Sequence, residues 1–330
     1  MVTDVNTIAT TYGAILIGTF FGCCLTGVVF VQCIIYFKVY PSDFLRVKLL
    51  VALVWSLDTL HTILITVAVW QSMVGNFNKP ENIDIIPTSL GLSVAVTAGI
   101  TFLVHCFFAD RIRKLTKKWY LAAPLVFLAS LRLLSACVST AEIIRLKRYS
   151  EFIKPFPSWV FTLGVTLSAS VEFIITTTMI IFLKKSRTGF ESMNHIINSL
   201  VLYTLETGGI TCAVTIISLI CWLCMRHNLI FLGLHFAIAK LYANSLLATL
   251  NTRKRLREDR SFSSHGDHAM PVLFPDTFNV NRSRFSKRML GSQIATTRSL
   301  QINVEKTIIV DGELLETEGS CAGSTATMPV

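Results

Sequence analysis

Apolar residues gather into seven stretches, 12–37, 49–74, 89–109, 121–141, 159–183, 200–224 and 229–250, and charged residues gather between them. Each stretch approaches or exceeds the ~20 residues that an α-helix needs to cross a ~30 Å hydrocarbon core. An open strand or loop cannot cross, because lipid leaves its backbone N–H and C=O groups without partners. The pattern predicts an all-α, polytopic integral membrane protein with seven transmembrane helices in a bundle. Only "MRHN" (225–228) separates the last two spans, which demands a tight turn. In span one, "GTFFG" places Gly18 and Gly22 one turn apart, a face where a second helix can approach closely. Residues 1–11 form a short extramembrane N-terminus. Residues 251–330 lose the apolar runs, are rich in Ser, Thr and mixed charge, and are expected to be a disordered tail. Within that tail, "RKRLREDRSFSS" and "NRSRFSKR" set hydroxyls beside arginines, as basophilic kinases require.

Composition sharpens the class. Of 330 residues 52% are hydrophobic and 15% charged, where a soluble domain carries about 25% charge. The net charge of +10 does not indicate nucleic acid, because Lys and Arg lie between apolar runs, where they act as topology signals. Loops 38–48, 110–120 and 184–199 and the start of the tail hold fifteen of them; the N-terminus and loops 75–88, 142–158 and 225–228 hold six. The richer side is expected to be cytosolic, with the N-terminus outside and the C-terminus in the cytosol. Loop 142–158 dissents with Arg145, Lys147, Arg148 and Lys154. Several of Trp55, Trp70, Trp119, Trp159 and Trp222 fall near span ends, as interfacial anchors do. Eight of the nine cysteines lie in apolar runs, where cysteine acts as a small hydrophobe. Cys221 and Cys224 form a CxxC without a second pair, so neither a metal nor a cofactor is expected.

Chemistry is sought where hydrocarbon makes it costly. An ionisable group inside a membrane costs at least ~2.5–3.5 kcal/mol and faces a partner or a wet cavity. The spans hold Asp58, His61, His105, Arg132, Glu172, Glu206, His235 and Lys240. Asp58 and Lys240 both lie roughly 14–15 Å from the cytosolic ends of spans two and seven, and Arg132 and Glu172 roughly 16 Å in on spans four and five. Opposite charges at matched depth suggest two interhelical ion pairs. Arg132, Ser135, Ser139 and Glu142 share a face of span four; Gly164, Ser168, Glu172 and Thr176 share one of span five. Asp58 pairs with His61 on one face, and Lys240 with Asn244, near the level of Glu206. The candidate intramembrane polar network is therefore Asp58, His61, Arg132, Glu172, Glu206, Lys240 and Asn244, serving either packing or a path for a ligand or ion.

Sharper readings meet obstacles. A retinal Schiff base on Lys240 would need a counter-ion, yet Phe236 stands one turn before it and 89–109 contains no Asp or Glu. "ADRIRKL" looks like the Asp-Arg-aromatic signature of G-protein-coupled receptors, but Ile112 takes the aromatic place and span seven lacks Asn-Pro-x-x-Tyr. Asp58 and His61 could form a dyad, but no nucleophile motif, HExxH or phosphate loop accompanies them. A transporter would favour inverted repeats and broken helices. The basic run Arg253, Lys254, Arg255 and Arg257 can bind anionic cytosolic lipid or simply hold the chain inside.

Five blocks carry a family resemblance: "YGAILIGTFFGCCLTGVVFVQCIIYFKVYPSD", "LLVALVWSLDTLHTILI", "FLVHCFFADRIRKLTKKW", "KKSRTGFESMNHIINSLVLYTLETGGIT" and "KLYANSLLATLNTRKRLR". In order and spacing they resemble a family of fungal membrane proteins grouped as the domain of unknown function number 6534, over about residues 12–257. The resemblance implies a seven-helix membrane domain with a variable tail, and no activity or ligand. That family usually has an aromatic residue where Asp110 stands, which makes the receptor-like "DRI" a local coincidence. The expectation is a receptor-like or sensory multi-pass protein without catalysis, working with the bilayer and a cytosolic protein partner. The alternatives are a transporter or channel for a small solute or proton, and a structural membrane scaffold.

Overall fold

A computed structural model of the chain describes residues 9–77, 79, 82, 84–185, 191–225 and 228–263, with side chains left out at 9–10, 191–204, 207 and 254–263. Seven long helices run through the described residues: α1 (Ala14–Val39), α2 (Leu45–Trp70), α3 (Thr88–Thr116), α4 (Trp119–Leu146), α5 (Pro155–Lys185), α6 (Glu191–Cys224) and α7 (Ile230–Ser263). A single helical turn, Tyr149–Phe152, lies between α4 and α5. Six of the seven helices are long and apolar enough to cross a membrane; in α6 the described apolar stretch is the shorter Gly208–Cys224. By these helices the chain is an integral membrane protein.

Consecutive helices pack side by side, α7 returns to α1, and α3 and α7 meet across the middle. The surface of this ring is apolar: Ile17, Phe20, Phe127, Leu134 and Phe173 point outward. Polar side chains such as Asp58, Thr97, Glu172 and Lys240 point inward. That inversion of the soluble pattern is what lipid outside and a hydrogen-bonded interior require. α7 is the most enclosed helix, and glycine makes its closest contact. A Cβ on Gly18 would lie 2.5 Å from the Gly233 Cα, so α1 and α7 touch backbone to backbone there. Gly22, the other half of the GxxxG, faces Ile65 of α2.

Several helices extend beyond their apolar runs. α3 continues to Thr116 because Asp110 pairs along its own helix with Arg113 (2.5 Å) and Lys114 (3.1 Å). Asp110 is thus occupied by its own helix. α3 and α4 end at Lys117 and Lys147, both with φ of 56°, the left-handed conformation that stops a helix. α7 runs to Ser263, so the expected disordered tail begins as helix; Arg, Lys, Leu and Glu in "RKRLRED" are good helix formers. The tail's hydroxyl sites Ser264, Ser283 and Ser286 lie outside the described residues, as do Arg187 and Arg226–His227 of the expected loops.

Polar contacts tie off both ends of the bundle. At one end Arg253 Nη2 reaches Asp43 Oδ2 (2.5 Å), Tyr36 donates to the same oxygen (3.0 Å), and the guanidinium lies over the Tyr40 ring (4.5 Å). At the other, Ile85 and Arg148 form an antiparallel bridge, and Asp84 accepts from the Ser150 N–H (2.8 Å) and hydroxyl (2.6 Å). Burial, with Tyr12 and Asp84 nearby, pushes the Tyr149 phenol above its ordinary value. Trp222 is not an interfacial anchor. It packs on Phe161 and Phe231 inside the bundle, and its indole N–H donates to Thr162 (2.8 Å). Trp70, Trp119 and Trp159 are exposed.

Candidate functional site

Three polar clusters lie inside the bundle. The first joins α7, α2 and α1. Asp58, His61 and Ile65 recur at helical spacing on the buried face of α2, and Lys240 faces them from α7. Lys240 and Asp58 are both 0% exposed, with Nζ 3.0 Å from Asp58 Oδ1. This is an ion-pair contact without the alignment of a hydrogen bond. The ammonium donates instead to the Asp58 carbonyl oxygen (2.7 Å) and the Thr62 hydroxyl (2.6 Å). Thr62 meets Thr26 of α1 at 2.9 Å, which brings the third helix in. One turn on, Asn244 donates to the Leu25 carbonyl (3.2 Å) and the Lys240 carbonyl (2.9 Å). His61 does not bond to Asp58; its two ring nitrogens lack partners among the described residues, and it meets the Phe236 ring edge-on.

The second cluster centres on Glu172. Thr211 of α6 donates to Oε1 (2.7 Å), and His105 Nε2 of α3 lies 3.2 Å from Oε2. The His105 ring stands perpendicular to Tyr242 of α7, whose hydroxyl meets Ser168 at 3.2 Å. Four helices thus converge on one carboxylate. The expected Arg132–Glu172 pair is not formed. Ser135 meets the Val160 carbonyl and Gly164 across the α4–α5 contact, and Val165 lines a cavity with Arg132, so Glu172 lies about two turns farther along α5, where it faces α3 and α6. Glu206 is also placed differently. It lies on the exposed side of α6, opposite the buried face of Thr211, Thr215, Ser218 and Trp222.

The third cluster surrounds Arg132. Arg132, Ser135 and Ser139 are buried on α4, and His235 on α7. With Val94 and Phe161 they line a cavity of about 20 Å³. Ser135 donates to the Val160 carbonyl (2.7 Å). Arg132 Nε and Nη1, Ser139 Oγ and His235 Nε2 have no partner among the described residues.

Sequence reasoning passed over Asp43 and gave His105 and His235 no partner. Their signals were present: Tyr36 and Tyr40 share a face just before "PSD", and both histidines sit in otherwise apolar runs.

A family model, "Family of unknown function (DUF6534)", matches residues 168–255. The match spans Ser168, Glu172, Thr211, Lys240 and Asn244, so it covers α7's contribution to the first cluster and much of the second. No curated protein and no solved structure matches the chain.

Proposed function

We propose that the protein is a seven-span, receptor-like or sensory membrane protein that acts by shifting helices and catalyses no reaction. Its N-terminus lies outside and its C-terminus in the cytosol. Its whole helical domain is of the kind seen in the fungal membrane proteins that it resembles. The observation that carries this reading is the enclosed Lys240–Asp58 contact, which ties α7 to α2 and, through Thr62 and Thr26, to α1. A buried charge pair has few alternative geometries, because a separated charge in the interior is strongly penalised. Such a contact suits a latch between two helix arrangements. Loop 184–199 and the tail are where a cytosolic protein would sense the change. Arg253 is already engaged by Asp43, so lipid binding beside α7 falls to Lys254, Arg255 and Arg257.

The test pairs spin labels at Lys184 and Ala248 with a flux assay in vesicles. A receptor-like switch gives two distance populations whose ratio changes in Asp58→Asn, and no proton or solute flux. Flux that Asp58→Asn and Glu172→Gln abolish would favour a transporter or channel. One unchanged distance and no flux would leave a scaffold.

A further inference from the structure

We propose that the Arg132 cavity is a binding site for a chloride-sized inorganic anion. Arg132 is 6% exposed on α4, deep in a helix that reads as spanning, and its guanidinium stays protonated at any physiological pH. It makes no ion pair with any carboxylate among the described residues. Glu172 is held by His105 and Thr211, and Asp58 by Lys240. A lone buried cation is expensive, and neighbouring neutral dipoles replace only part of what a counter-charge supplies.

The cavity supplies the place for one. Arg132, Ser139 and His235 line it, and Arg132 Nε and Nη1, Ser139 Oγ and His235 Nε2 are among the buried atoms without a protein partner in the described residues. The guanidinium has only donors, a serine hydroxyl donates freely, and imidazole Nε2 donates in one of its two neutral tautomers. Every one can therefore point a hydrogen at a single acceptor. Val94 and Phe161 supply an apolar part of the wall. About 20 Å³ exceeds the minimum for one water-sized body, and a chloride ion is only a little larger than water. A carboxylate or phosphate is too large. The ion would neutralise Arg132 and bridge α4 to α7, a contact the protein's own residues leave incomplete.

The experiment uses the full chain in nonionic detergent, with chloride exchanged for gluconate at constant ionic strength. For millimolar affinity, raising chloride from about 1 to about 100 mM lifts the melting temperature by about 5 °C, and bromide does the same. Ser139→Asp carries its own carboxylate into the cavity, so it should melt at one temperature in both salts. An anomalous bromide peak beside Arg132 in crystals completes the support. Identical melting of the unmodified protein in chloride and gluconate would mean that water alone fills the site, and the proposal fails. It fails equally if chloride stabilises Ser139→Asp as much as the parent, or if bromide binds only elsewhere.

Discussion

Lys240 places its ammonium where no bulk water can substitute for a missing partner, and the structure satisfies it with a carboxylate, a carbonyl and a hydroxyl. Removing one charge and leaving the other is the costly change. Lys240→Met strands Asp58 and should destabilise the detergent-solubilised protein by about 3 kcal/mol. Adding Asp58→Asn removes the stranded charge and should recover about 1–2 kcal/mol of that loss. Chemical denaturation of the two single variants and the double variant gives the coupling energy. Strictly additive losses would show that the contact contributes nothing of its own. Glu172 behaves differently, because its partners are an imidazole and a hydroxyl. Glu172→Gln keeps a hydrogen-bonding head of the same shape, and its loss should be smaller, about 1 kcal/mol.

At the scale of elements, the closest packing is the glycine contact between α1 and α7. Gly18→Val inserts a branched side chain where even a Cβ would overlap the Gly233 backbone. It should force the helices apart and lower stability by about 2–3 kcal/mol. Gly27, on the same helix, has nothing within 4 Å of its would-be Cβ, so Gly27→Ala should be neutral or gain a few tenths of a kcal/mol from helix propensity. Thermal melts of the two variants decide the matter; equal behaviour would mean that the Gly18 contact is not tight in the protein. Helices are what the sequence expresses most directly, since apolar length alone sets them. Depth was legible for Asp58 and Lys240, which do meet. Azimuth was not. Arg132 and Glu172 count equally far from their span ends, yet α4 and α5 pack with Val165 beside Arg132 and Glu172 about two turns beyond, so the offset and rotation of each helix decide which neighbour a side chain meets. That rotation is fixed by contacts such as Gly208 on Thr176 that no single helix encodes. Trp222 went astray for a related reason: position near a span end resembles an anchor, while its helical face points into the aromatic cluster.

For the molecule as a whole, the open question of orientation reduces to one binary choice. Loop 75–88 and the segment after α4 share one face of the bundle, joined through Ile85–Arg148 and Asp84–Ser150. Loop 40–44 and the end of α7's apolar run share the opposite face, joined through Asp43–Arg253. Basic loop 142–158 therefore cannot choose a side alone; it moves with the poorly charged loop 75–88. Insertion of such a bundle is governed by the total of Lys and Arg on short loops of each face, six against fifteen. The fifteen should remain cytosolic. An Asn-x-Ser acceptor introduced between Lys79 and Asn82 should then be glycosylated in microsomes, and one introduced after Lys117 should not. The reverse pattern would invert the protein and move Arg253 and the whole chain beyond it outside. Replacing Lys147 and Arg148 with Gln should leave the pattern unchanged, because removing charge from the poorer face only widens the difference between the two.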